Sequence, residues 1–224
     1  MAQTLSSLLN LTRFFLEDAL SVYFTDPQLT ICINLARDRV VSDTLCCRSL
    51  QLVPAIAGQE VYSYNTVYQA LLGLTPAPPA RGIHNIVGIS FQWSPAYQPA
   101  LMRMPFPELS AMLRTNPQIQ SMPVAFAVYG QNFYIGPKPA SSPLYQMEVD
   151  AVWLPTNLAV GTDPETAIPD VMAEILVPLM ACAFAHYGKR AYDEVDRFEA
   201  RYEIEKNQIT AAQPGFSVAS YYNS

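Results

Sequence analysis

The chain has 224 residues, half of them apolar and only 14% charged, and its 13 basic and 19 acidic side chains leave a net charge of −6. Ordinary soluble domains carry about 25% charged residues, so this composition excludes extensive disorder and a whole-chain basic grip on nucleic acid. The 19 prolines predict turns and interrupted strands.

Taken in chain order, the first 43 residues read as two helices. Thr4 caps a segment whose apolar residues Leu5, Leu8, Leu9, Leu11, Phe15 and Leu16 fall near helical spacing. Glu17 and Asp18 follow it; acidic groups are unfavourable at a helix C-terminus, so this end is expected to fray. Thr25-Asp26-Pro27 is a second start signal. It predicts a helix over 27–44 with an apolar stripe of Leu29, Ile33, Leu35, Ala36 and Val40, and with Asn34, Arg37, Asp38 and Arg39 off that stripe.

Residues 45–159 read as β. Residues 50–57 and 59–64 surround a turn at Gly58, and residues 83–93 are rich in β-branched and aromatic side chains. Residues 124–128 and 132–135 flank Tyr129-Gly130-Gln131, a hairpin signal. In 145–153 Tyr145, Met147, Val149, Ala151 and Trp153 alternate with Gln146, Glu148 and Asp150. Residues 107–114 form a short helix between the proline clusters.

Helix returns at Thr166-Ala167-Ile168-Pro169-Asp170. Residues 171–187 are nearly all apolar or small and should be buried on most sides, with Pro178 kinking or breaking them. A last helix over 189–210 carries the stripe Ala191, Val195, Phe198 and Tyr202, with Asp193–Arg197 and Arg201–Glu205 as i,i+4 pairs. The tail 213–224 reads as extended.

The fold class expected is therefore α+β. The helices of 1–44 and 160–212 form one bundle, 45–159 form a central antiparallel β-rich domain, and 213–224 form the tail. No basic leader precedes an apolar segment, and the longest apolar stretch near the C-terminal half, residues 175–185, is short of the about 20 residues a membrane span needs. A soluble, unsecreted protein is expected.

No phosphate loop, dinucleotide fingerprint, zinc-protease or nucleophile-elbow motif is present. No catalytic, cofactor-binding or metal site is expected. His84 and His186 read as structural, and Cys32, Cys46, Cys47 and Cys182 as free thiols. A disulfide between adjacent Cys46 and Cys47 would be strained. Glu148 and Asp150 share a strand face that reads as solvated. Arg37, Arg39 and Arg48 form a modest basic cluster without aromatic interleaving, and Arg103 and Arg114 add to the middle.

The strongest positive signal is charge distribution. Residues 44–159 hold nine charged side chains in 116, whereas 160–210 hold fifteen in 51, ten of them acidic. Interface cores are depleted in charge and enriched in aromatics. The middle therefore reads as an interaction surface in preference to a well-buried monomeric β domain.

Three groups of residues carry a family resemblance by their order. The first is Asp26-Pro27-Gln28-Leu29 followed by Ile33-Asn34-Leu35-Ala36. The second is the hairpin from Pro123 to Pro139, with Tyr129-Gly130 at its turn and Ile135-Gly136-Pro137-Lys138-Pro139 at its end. The third is Trp153-Leu154-Pro155, then Ile168-Pro169-Asp170, an apolar helix and a charged helix. Over about residues 5–213 the chain resembles the tail adaptor, or head-to-tail connector, proteins of tailed bacteriophages. Phe126 stands where that family often has Tyr, and the insert 69–80 is longer than a simple turn.

The resemblance implies a virion structural protein at the head–tail junction, made in the host bacterial cytoplasm. It implies a homo-oligomeric ring of about twelve copies docked beneath the portal protein, meeting tail nozzle or fibre proteins, with packaged DNA passing through non-specifically. It implies no cofactor and no membrane. In the tail, Phe216, Tyr221 and Tyr222 would anchor on the portal or a neighbour, against the alternative of a disordered end. Asp193, Glu194, Asp196, Glu199 and Glu203 would face the channel or a solvated outer surface. Another tail component, such as a nozzle or tube subunit, is the alternative function, and an enzyme with an unrecognised site a further one.

Overall fold

The structure is a computed structural model that describes residues 3–75, 77–92, 97–115, 117, 119–140 and 146–212. The chain is α+β and divides into two compact units. The tail positions Phe216, Tyr221 and Tyr222 lie outside the described residues.

The helical unit takes residues up to Cys47 and again from Leu154. Helix α1 (Leu5–Phe15) starts at Thr4, whose side chain accepts from the Ser7 amide while the Ser7 hydroxyl accepts from the Thr4 amide. These bonds satisfy two donors of the helix start. Helix α2 (Asp26–Thr44) starts at Thr25, whose amide donates to Gln28 Oε1 at 3.1 Å. Its buried face is Leu29, Ile33, Ala36, Arg37, Val40, Val41 and Thr44. The expected stripe is thus corrected at two places: Leu35 is exposed, and Arg37 is buried because a carboxylate meets it there.

Helix α5 (Asp170–Gly188) runs uninterrupted through Pro178. It is long and apolar enough to cross a membrane by length and composition, longer than the 175–185 stretch suggested. Its apolar surface is used inside the unit, against α1, α2 and α6 (Tyr192–Ala212). Leu176, Val177, Leu179 and Met180 are buried there, each worth about 1.5–3 kcal/mol relative to exposure. Between α5 and α6 the chain turns at Arg190, in the left-handed region at φ 60°, so α6 begins three residues later than expected. Val195, Phe198, Tyr202 and Ile209 are its buried stripe; Ala191 precedes the helix. The expected i,i+4 pairs are replaced: Arg197 pairs with Glu194 at 3.5 Å, Lys206 pairs with Glu203, and the Arg201 guanidinium lies over the Phe15 ring.

The other unit, 48–153, holds β1 (Arg48–Pro54), β2 (Val61–Ser63), α3 (Tyr64–Leu72), β3 (Ala80–Gln92), β4 (Met102–Arg103), α4 (Phe106–Thr115), β5 (Gln120–Ser121), β6 (Ala125–Tyr129), β7 (Asn132–Gly136), β8 (Lys138–Pro139) and most of β9 (Gln146–Pro155). The hairpin forms as read: β6 and β7 pair antiparallel, with Tyr129 opposite Asn132, and Gly130 takes φ 62° in the turn. The alternation of β9 holds from Met147 on, with Met147, Val149, Ala151 and Trp153 buried, while Tyr145 lies outside the described residues. Val152 on the other face is buried too, in a strand lying between β1 and β3.

Three expectations are corrected here. The strands around Gly58 do not pair with each other: β1 pairs with β9 and β2 with β7. The strands are not all antiparallel: β4 pairs parallel with β6 in the four-stranded sheet, and β5 with β8 in a separate two-stranded one. Helix α3, capped by the Ser63 side chain, occupies a stretch read partly as strand and partly as insert. The core gathers Tyr62, Ile86, Ile89, Phe91, Phe126 and Phe133, with Tyr62 stacked on Phe133 at 5.3 Å.

The unit boundaries also differ from 44/45 and 159/160. Residues 154–159 belong with the helices, because Asn34 Nδ2 donates to the Leu158 carbonyl, Asn34 Oδ1 accepts from the Leu158 amide, and Arg37 donates to the Thr156 carbonyl.

Candidate functional site

Buried polar networks fix the shape of the helical unit. Arg37 Nε lies 2.5 Å from Glu165 Oε2, and both side chains are essentially out of solvent. Glu165 Oε1 also accepts from the amides of Ala167 and Ile168 at 2.9 and 3.1 Å. Arg37 Nη1 donates to Thr156 O at 2.7 Å and Asn34 Oδ1 at 3.2 Å. Every charged atom is met, as a buried pair requires. The network clamps the segment leading into α5 against α2.

A second network corrects the frayed end expected after α1. Asp18 is buried and accepts from the amides of Val22, Tyr23 and Phe24. Arg13 donates to the Asp18 carboxylate, to Phe24 O and to Asp26 Oδ1. Burial pushes the Asp18 carboxyl up, but those amide bonds and the Arg13 charge outweigh it and hold it below its ordinary value. The loop so braced places Glu17 and Ser21 at positive φ. It also holds Leu20 86% and Val22 69% exposed, beside Phe14 at 74%. Sequence offered one clue, an acidic residue where a helix should not have one.

The acidic residues of α6 are not one set. Asp193, Asp196, Glu199 and Glu203 are exposed, with Glu203 held by Lys206. Glu194 is half-buried and turned to Arg197. It lines an open cleft of about 540 Å³ with Glu17, Phe15, Arg197, Phe198 and Arg201. Two arginines face two glutamates there, so the cleft has no excess charge for an ionic ligand. His186, also on its wall, stacks on Phe198 at 5.6 Å and meets Phe24 edge-on. Burial holds His186 below its ordinary value, opposed by Glu194 and aided by Lys189.

The remaining candidates separate. Arg37 pairs with Glu165, Arg39 with Asp43 and Arg48 with Asp150, so the basic cluster is spent on internal partners rather than offered to phosphates. Glu148 accepts from Gln98 while Asp150 is engaged by Arg48, which splits that carboxylate pair between two neighbours. His84 is exposed on β3. Among the described residues no group of three His, Cys, Asp or Glu side chains is placed to hold a metal ion.

What the surface does present is apolar. In the β unit Leu50, Leu52, Ile56, Met102, Ile119 and Tyr129 are each at least half exposed. Leu50 and Leu52 project together from β1, which lies at the edge of its sheet. Association surfaces are built from contiguous exposed apolar groups, and Leu50 and Leu52 are such neighbours on β1. No protein-family model matches the chain, and no curated protein matches it.

Proposed function

We propose that this chain is a structural subunit of a tailed-bacteriophage particle, a ring-forming adaptor between portal and tail. The observation that carries the reading is the exposed apolar surface of a charge-poor chain, because such side chains call for neighbours. The order of parts supports it as well. Helices from both ends of the chain build one unit around α5, and a mixed β unit is inserted between them in sequence, which is the arrangement the family resemblance implies.

In this reading the subunit has no catalytic residue and no cofactor. About twelve copies close a ring through heterologous, head-to-tail contacts. The ring sits at the head–tail junction of the virion, beneath the portal protein, extends the DNA channel and gives nozzle or fibre proteins a symmetric platform. DNA passes without sequence readout. Asp193, Asp196, Glu199 and Glu203, exposed on α6, suit a channel wall that repels phosphates. The subunit is made in the host cytoplasm and needs no membrane.

The test is negative-stain electron microscopy of complexes that co-purify with the tagged protein from phage-producing cells. Rings of uniform diameter stacked on a second, larger ring support the adaptor and give its symmetry. Single small particles without a portal-like partner refute it.

A further inference from the structure

Two thiols stand together at the end of α2. Leu45 closes that helix in the left-handed region at φ 54°, and Cys46 and Cys47 follow with their Sγ atoms 4.0 Å apart. Cys46 is half-buried and Cys47 is 1% exposed, with its thiol donating to the Ala167 carbonyl. We infer that Cys46 and Cys47 form a dithiol site that exchanges with low-molecular-weight disulfides and closes to a vicinal disulfide. The inference does not rest on the adaptor reading.

Roles follow from position. Cys46, the less buried of the two, acts as the nucleophile and Cys47 as the resolving thiol. The contact with Cys47, 4.0 Å away, outweighs the cost of burial and holds the Cys46 thiol below its ordinary value. The same contact and burial push Cys47 up. Burial also raises Cys32 and Cys182.

The chemistry balances in two exchanges. Cys46 thiolate attacks one sulfur of the small disulfide, its S–S bond breaks, and one small thiolate leaves. Cys47 then gives up its proton and attacks Cys46 Sγ, expelling the second small thiolate. The protein loses two electrons and two protons, and the small disulfide becomes two thiols. Adjacent Cα atoms are about 3.8 Å apart across a trans peptide, shorter than the about 4.4–6.8 Å of ordinary disulfides. The ring is therefore strained and easily reduced: it is open at a cytosolic thiol poise and closes in an excess of disulfide. Closure takes Cys47 from the Ala167 carbonyl, in the turn that the Arg37–Glu165 pair holds.

The probe is oxidised glutathione on the native, full-length protein, followed by alkylation, trypsin and mass spectrometry. Trypsin cuts after Arg39 and Arg48 and releases residues 40–48 with both sulfurs in one peptide. The expected result is that this peptide is two hydrogens lighter, carries no alkyl group, and reverts with dithiothreitol, while the peptides of Cys32 and Cys182 are unchanged. Cys47→Ser is expected to trap glutathione on Cys46, and Cys46→Ser to abolish the reaction. Full alkylation of both sulfurs after oxidised glutathione, a disulfide joining two chains, or glutathione captured by Cys46→Ser overturns the inference. The wild-type measurement decides it even where a variant fails to fold.

Discussion

Replacing Glu165 by Gln tests whether the buried clamp organises the helical unit. The change keeps size and shape but leaves the Arg37 guanidinium, 3% exposed, without its counter-charge. Removing one partner of a buried pair costs about 3–5 kcal/mol, because the surviving charge stays desolvated. The Gln side chain still offers one oxygen, so the amides of Ala167 and Ile168, now bound by Oε1, keep a partner in one rotamer. The expected loss is therefore near about 3 kcal/mol. The double variant Arg37→Met, Glu165→Leu removes both charges. It also orphans those two amides and the Thr156 carbonyl, at about 1–3 kcal/mol for each buried group left unpaired, so it does not restore wild-type stability. The assay is urea unfolding followed by far-UV circular dichroism, with the slope checked to be unchanged. A loss under about 1 kcal/mol, the range of an exposed ion pair, would refute the reasoning.

Three further outcomes are expected. Asp18 has its carboxyl held below the ordinary 3.8, so the unfolded chain takes up the proton first as pH falls. The stabilisation is present above 3.8 and is lost as pH drops through it toward the lower folded value; acid titration of Asp18→Asn should lack that component, and an unchanged acid limb would contradict the brace. At Gly136 a Cβ would lie 2.9 Å from Leu109 Cδ1 and 2.9 Å from Met112 Cε, so Gly136→Ala should destabilise by about 1 kcal/mol as those side-chain ends are forced aside, read as a lower urea midpoint. Leu50→Lys with Leu52→Lys alters exposed β1 positions; the subunit should stay within about 0.5 kcal/mol of wild type while rings fail to form in electron micrographs. Rings unchanged by both lysines would remove β1 from the interface.

Features decided by a few adjacent residues were legible. Thr4, Thr25-Asp26-Pro27 and Pro169 mark real helix starts because a cap is a local event, satisfied within one turn. The hairpin at Gly130 was legible for the same reason. The misreadings share the opposite cause. Residues 50–57 and 59–64 look like two arms of one turn, yet β1 finds its partner in β9, about a hundred positions later. Arg37 reads as a solvated charge until Glu165, distant in sequence, is folded onto it. Leu35 sits close enough to helical spacing to join the stripe, but the packed face of α2 passes it by. Helix α3 hid because Tyr64, Thr66, Val67 and Tyr68 favour strands, and its Ser63 cap was the overlooked signal. For the site, the sequence offered the scarcity of charge. Which apolar residues end on the surface depended on the fold.

The discontinuity of the helical unit has a consequence for synthesis. Helices α1 and α2 leave the ribosome early, but their packing partner α5 lies at 170–188. At roughly 5–20 residues per second, translation reaches it on the order of ten seconds later. During that interval the whole of 48–153 emerges and can complete its own sheets, while Leu29, Ile33 and Val40 still lack the surface that will cover them. The nascent chain thus carries an unpaired hairpin of helices while the whole β unit is made, and closing the helical unit waits until α5 has emerged.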